Sequence, residues 1–176
     1  AVGSGIQTAG LIASGKTDPA VSALTEAWNG SAWTEVGDIN TARQQAAGAG
    51  NSPSTAGLIF GGTPPTTANT ESWNGTAWTE VNNLNVAKTA MAGSGIQAAA
   101  LAFAGTTPPG AYTVNTEEWD GTSWTEVNNM PSAKTQLGGT GLSTSALAFG
   151  GYAPPGVLVT TEEWTVPLET VSFDID

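Results

Sequence analysis

Thr25-Glu26-Ala27-Trp28-Asn29-Gly30-Ser31-Ala32-Trp33-Thr34-Glu35-Val36 returns with few changes at 70–81 and again at 116–127. The register is carried by Trp28, Trp73, Trp119 and Trp164, spaced 45, 46 and 45 residues apart. The first three have a second Trp five positions on, at Trp33, Trp78 and Trp124. Upstream, Gly3-Ser4-Gly5-Ile6-Gln7 is repeated as Gly93-Ser94-Gly95-Ile96-Gln97. Self-similarity at a fixed period of this length marks a solenoid, propeller or array.

One unit, 89–134, locates the strands. Residues 89–92 read as a short strand ending in Gly93-Ser94-Gly95, and 98–104 as a small-residue apolar strand buried on both faces. After a Pro-Pro loop, 112–119 reads as a third strand. Asp120-Gly121 signals a two-residue hairpin of type I′, and 124–127 closes the fourth strand. Residues 128–134 are polar, contain Pro131, and lead into the next unit. Four antiparallel strands per 45 or 46 residues is the signature of a propeller blade. The expectation is an all-β propeller, a single domain over 1–176, with blades at 1–36, 45–81, 90–127 and 136–174. In the last blade, residues 168–173 stand in for the Trp hairpin arm.

The apolar strand ending in Gly-Gly (Phe60-Gly61-Gly62, Phe149-Gly150-Gly151), the hairpin bearing the downstream Trp, and a basic residue ten positions later (Arg43, Lys88, Lys134) resemble the kelch repeat. The pattern departs from that family in three respects. Trp stands where the hairpin's first aromatic is usually Tyr. Ser14-Gly15 and Ala104-Gly105 replace the Gly pair in two repeats, and two of the three basic residues are Lys. Ser or Ala fits the strand end if its φ stays negative. The regular Asn-Gly-Thr-Trp hairpins, the Thr-Pro-Pro loops and the closing segment Glu162-Glu163-Trp164-Thr165-Val166-Pro167 are similar to kelch-like proteins of marine bacteriophages and their hosts. That resemblance implies a virion or tail-associated component, or an extracellular surface location.

Composition excludes much else. The chain of 176 residues carries 4 basic and 15 acidic residues for a net charge of -11, which disfavours nucleic acid and anionic membrane as partners. It holds 23 Gly and 10 Pro, below the roughly 25–30 % that signals a low-complexity chain. With no Cys and no His there is no thiolate, imidazole base, Ser-His-Asp triad or imidazole-bound metal. No cofactor is expected, and the copper chemistry known among kelch propellers lacks its imidazole ligands here. No apolar run approaches the ~20 residues of a membrane span, and the first residues lack the charged and apolar regions of a signal peptide. A start at Ala1 rather than Met is expected of a processed or excerpted product.

The seven Trp residues are expected between blades, because a repeat unit cannot bury its faces alone. Arg43, Lys88 and Lys134 are expected to pair with recurrent carboxylates such as Glu71 or Glu117. Loops after the second and fourth strands share one face of an up-and-down blade, and loops on a rigid scaffold are where binding concentrates. Pro64, Pro65, Pro108, Pro109, Tyr112, Pro154 and Pro155 are the candidate binding residues there, accompanied by Asn82-Asn83 and Asn128-Asn129. Asn29 and Asn74 match a glycosylation acceptor pattern but are better explained by the turn. Adjacent Glu117-Glu118 and Glu162-Glu163 point to opposite sheet faces and read as solvated charge rather than a glycosidase or calcium pair.

These readings favour a non-enzymatic interaction or structural module that binds a protein or a host-surface glycan. A glycan-binding lectin is the alternative, and a carboxylate-dependent glycoside hydrolase a more distant one. No terminal strands are left over to interlock within one blade. Ring completion is therefore expected from a homo-oligomer or from a longer chain.

Overall fold

The computed structural model describes residues 1–166. They form four antiparallel sheets arranged as four successive β-propeller blades, with no helix among the described residues. The first blade is β1 (Val2–Ile6), β2 (Ala9–Thr17), β3 (Ala20–Trp28) and β4 (Trp33–Glu35); the second is β5 (Ala47–Gly48), β6 (Gly57–Phe60), β7 (Thr70–Trp73) and β8 (Trp78–Val81). In the third, β9 (Ala92–Ile96), β10 (Ala99–Phe103), β13 (Thr116–Trp119) and β14 (Trp124–Val127) pair in sequence. A small hairpin, β11 (Thr106–Thr107) and β12 (Ala111–Tyr112), interrupts them. The fourth has β15 (Gly138–Leu142), β16 (Ser145–Phe149), the hairpin β17 (Tyr152–Ala153) and β18 (Gly156–Val157), then β19 (Thr161–Thr165). The expected replacement arm at 168–173, and with it the end of the expected fourth blade, lies outside the described residues.

The inner strands approach through glycine. A Cβ on Gly93 would stand 2.6 Å from the Gly48 carbonyl oxygen, and one on Gly139 would stand 2.9 Å from that of Gly93. Real Cβ atoms do not come so close to a backbone oxygen, so only glycine lets neighbouring blades approach this near the axis. Just before the inner strands of the second, third and fourth blades, Gln45, Ala90 and Gln136 adopt φ of 53, 52 and 55°. The Gln136 N–H donates to the Ala90 carbonyl and the Ala90 N–H to the Gln45 carbonyl, both at 2.8 Å, stitching the linkers blade to blade.

Outward from the axis, the second and third blades bury their second strands. Leu58, Ile59, Phe60, Leu101 and Ala102 are at most 2 % exposed. Three apolar clusters run across the blade junctions; one joins Leu58 and Phe60 of the second blade to Trp119 and Trp124 of the third.

Four local expectations are corrected. The inner strand of the third blade is Ala92–Ile96, so Gly93-Ser94-Gly95 lies within it. Thr89 forms an isolated bridge to Thr106 instead. The third strand is split, because Ala111–Tyr112 pairs back on Thr106–Thr107 before Thr116 joins the sheet. The hairpin is not type I′: Trp119 pairs with Trp124, the Asp120 N–H donates to the Ser123 carbonyl, and only Gly121 of the turn has positive φ, at 93°. The Asp120 carboxylate itself accepts the Thr122 and Ser123 N–H groups at 2.8 Å, which removes the need for a second left-handed residue. Finally, Ser14 and Ala104 do not keep negative φ. They sit at 62 and 59°, alongside Gly61 at 64° and Gly150 at 65°. The turn off the strand imposes that conformation whatever residue fills it, and in the first blade it also makes a bulge between Ala13 and Gly15.

Candidate functional site

The candidate site is the end of the propeller where second strands pass into third strands. Pro64, Pro65, Pro108, Pro109, Pro154 and Pro155 are all exposed there, and Tyr112 is half-buried. Pro supplies no N–H, so these tips leave backbone carbonyls and ring faces for a partner. The loops are nonetheless braced. Gln44, Thr89 and Thr135, each just after a basic linker residue, form antiparallel bridges to Thr63, Thr106 and Tyr152. The Gly110 N–H closes the Pro108-Pro109 turn on the Thr107 carbonyl at 2.7 Å. The Thr106 hydroxyl donates to that of Thr135 at 2.9 Å, and the rings of Tyr112 and Tyr152 meet edge to face with centroids 6.1 Å apart. Hairpins of the third and fourth blades thus form one continuous surface.

Two features of this end escape a reading confined to Pro-Pro. The first blade presents Asp18-Pro19 at the same position, at the tip of the long β2–β3 hairpin, with Lys16 and Asp18 paired at 3.1 Å. The Asp-Pro dipeptide was the available signal. Tyr152 also belongs here, since it supplies half of the aromatic bridge. By contrast, Asn83 and Asn129 act structurally: their side-chain oxygens accept the N–H of Thr70 and Thr116, as Asp38 does for Thr25. Asn82 donates to the Thr122 carbonyl of the next blade. Asn128 is exposed.

Beneath this surface lie the basic residues. Arg43 meets Glu71 at 2.8 Å, Lys88 meets Glu117 at 3.2 Å, and Lys134 pairs with Glu162. All three cations are at most 1 % exposed. Burial pushes Arg43 and Lys88 below their ordinary pKa values, against the pull of Glu71 and Glu117. Lys88 also donates to the Asn115 side chain at 2.7 Å, whereas Arg43 leaves Nε and Nη2 without partners among the described residues. The reading of Glu117 as solvated charge is therefore corrected: its carboxylate is fully buried, bonding the Asn85 N–H and side chain as well as Lys88. Its neighbour Glu118 is half-buried and points to the other sheet face.

The Trp ladder is structural in detail. Trp28, Trp73, Trp119 and Trp164 each donate their indole N–H to a carbonyl in the turn after the inner strand, at Gln7, Ser54, Gln97 and Ser143. Trp78 and Trp124 instead reach back one blade, donating to the Thr25 and Thr70 hydroxyls at 3.0 and 3.1 Å. Trp33 stands apart, half exposed. Asn29 and Asn74 hold the N–H groups of their own turns, as Asp120 does.

Between the third and fourth sheets lies a cleft of about 60 Å³ lined by Phe103, Thr116, Met130, Leu147 and Trp164. It corresponds to the places Trp78 and Trp124 fill at earlier junctions. The residue that would reach it by repeat register falls outside the described residues. No group of three or more Asp or Glu converges on a metal-sized space among the described residues. No protein-family model and no curated protein matches this chain.

Proposed function

We propose that this propeller is a non-enzymatic recognition module of the kelch-like kind, carried on a phage virion or tail, whose braced Pro-rich end contacts a protein on the host surface. The observation that supports it is the contrast between the two parts of each repeat. The Trp, Thr, Glu and linker cation recur, each cation paired with a Glu, while the exposed tips differ: Asp18-Pro19, Pro64-Pro65, Pro108-Pro109-Gly110 and Pro154-Pro155-Gly156. A rigid frame with variable tips lowers the ordering cost of binding, because the loops are already held by bridges to the linkers.

A second reading, a glycan-binding lectin, draws on the Tyr112–Tyr152 pair, because an aromatic ring face suits the apolar face of a sugar. One experiment serves both. Pull-down of the labelled chain on intact host cells, with and without prior protease or glycosidase treatment, should show binding that is lost on Tyr112→Ala together with Pro109→Ala. Protease sensitivity supports the protein partner and glycosidase sensitivity the lectin. Undiminished binding by the double variant would remove this face from consideration.

A further inference from the structure

The blade junction has a fixed composition that can be read along the array. On one side are a second-strand Leu, the residue two positions later, and a third-strand Thr. On the other are the outer-strand Trp and the carboxylate of the following blade. Where the junction is made, the first set is closed: Leu11, Leu58 and Leu101 are 4, 2 and 0 % exposed, and Thr25, Thr70 and Thr116 are at most 1 %. So is the second, with Trp78 and Trp124 at 7 and 5 %. The same residue types stand open at the two ends of the array. Leu147 and Phe149 are 42 and 44 % exposed on the fourth blade, whereas Trp33 is 50 % exposed on the first.

Two further elements of the junction are open at the same places. At the second junction Gln97 reaches back to the Gly57 carbonyl at 3.2 Å, the Ser72 hydroxyl at 2.8 Å and the Trp73 carbonyl. Gln7, in an identical Gly-Ser-Gly-Ile-Gln segment, is exposed and makes no such bonds among the described residues, and the matching acceptors on the fourth blade are the carbonyls of Ala146 and Trp164. At the axis, Gly93 and Gly139 press on the preceding inner strand, while a Cβ placed on Gly3 would have no atom of another blade within 4 Å among the described residues. Among the described residues no backbone hydrogen bond joins the first blade to the fourth.

We infer that the first blade of a second copy of this chain docks on the fourth blade, head to tail, repeating the internal junction. Trp33 of one copy covers Leu147 and Phe149 of the other and donates to the Thr161 hydroxyl, while Gln7 bonds the Ala146 and Trp164 carbonyls. The occupant is a second copy because the open surface continues an interface that the chain already makes with itself, and the copy carries the complementary half in the same register. A head-to-tail contact used twice closes a two-chain ring, and used without closure it propagates. The contact lies on the blade faces, so it holds whether or not the Pro-rich end binds a host.

Light scattering of the 176-residue chain across a concentration series tests this. The expected result is a species of twice 17.7 kDa, or a ladder of its multiples. Trp33→Glu and Phe149→Glu, both at surface positions, should each raise the dissociation constant at least about tenfold with an unchanged far-ultraviolet spectrum. Gln7→Ala is a milder variant with the same direction. Mixing the two Glu variants should restore a two-chain species, because one intact junction can still form between them. A single-chain mass at the highest concentration, or association indifferent to these variants, overturns the inference, as does failure of the mixture to associate. Tyr112→Ala should leave the mass unchanged, which separates this result from that of the loop-face experiment.

Discussion

At the residue scale, the left-handed position that follows the second strand, or bulges it in the first blade, is occupied by Ser14, Gly61, Ala104 and Gly150, and a side chain there is paid for in backbone strain. Ala104→Gly relieves that strain but also removes a fully buried methyl, so it should shift stability by no more than about 1 kcal/mol, read from the midpoint of urea unfolding at unchanged slope. The reverse change at Gly61 is harsher than strain alone. Its Cβ would stand 2.5 Å from the Lys88 carbonyl oxygen, so Gly61→Ala should destabilise by more than the Ala104→Gly shift. Asp120 offers a pH test. Hydrogen bonds from the Ser123 and Thr122 N–H groups hold its carboxyl below the ordinary 3.8. A depressed carboxyl pKa stabilises the fold above the unfolded value, and that contribution is lost as pH falls through the folded one. NMR titration should place the Asp120 midpoint below 3.8, and Asp120→Asn, which copies Asn29 and Asn74, should remove this part of the acid sensitivity while keeping the turn. A midpoint at or above 3.8 would contradict it.

At the element scale, the buried pair beneath each linker couples a loop to a strand. Lys88→Met strands the Glu117 carboxylate without its cation in a fully buried place and should cost about 3–5 kcal/mol. Adding Glu117→Gln should recover more than half of that, since a Gln oxygen can still accept the Asn85 N–H and no charge is left buried. Denaturant unfolding of the single and double variants checks both values. This is also the scale at which sequence and structure part company. The Trp register, the small-residue second strand and the basic linker residue were legible because each is a recurring choice of side chain dictated by packing. The left-handed Gln45, Ala90 and Gln136 were not, since none is Gly and the conformation is imposed by hydrogen bonds between linkers of different blades. The Pro tips of the candidate site could be read from sequence. Their bracing could not, because it depends on the Thr106–Thr135 and Tyr112–Tyr152 pairs, whose members come from successive repeats that only the ring brings together.

At the scale of the whole molecule, stability should be graded along the array. In a repeat protein each unit is held by its own sheet and by its neighbours, and the second and third blades have a neighbour on both sides. Amide exchange followed in a non-associating Trp33→Glu background should be slowest in β6 and β10 and faster in β2 and β16. Equal protection in all four blades would mean that the chain behaves as one cooperative block rather than as a series of coupled units.

The reach of Trp78 to Thr25 and of Trp124 to Thr70 has a consequence for chain length. Each indole recognises a blade by a Leu, an Ala or Phe and a Thr, and every earlier blade offers these. Excision of residues 45–89 would join Gln44 to Ala90 and set Trp124 on Thr25 in the register Trp78 now uses. The junction thus discriminates poorly among copies of its own unit, so gain or loss of a complete 45-residue module is a far smaller perturbation than an insertion of a few residues within one.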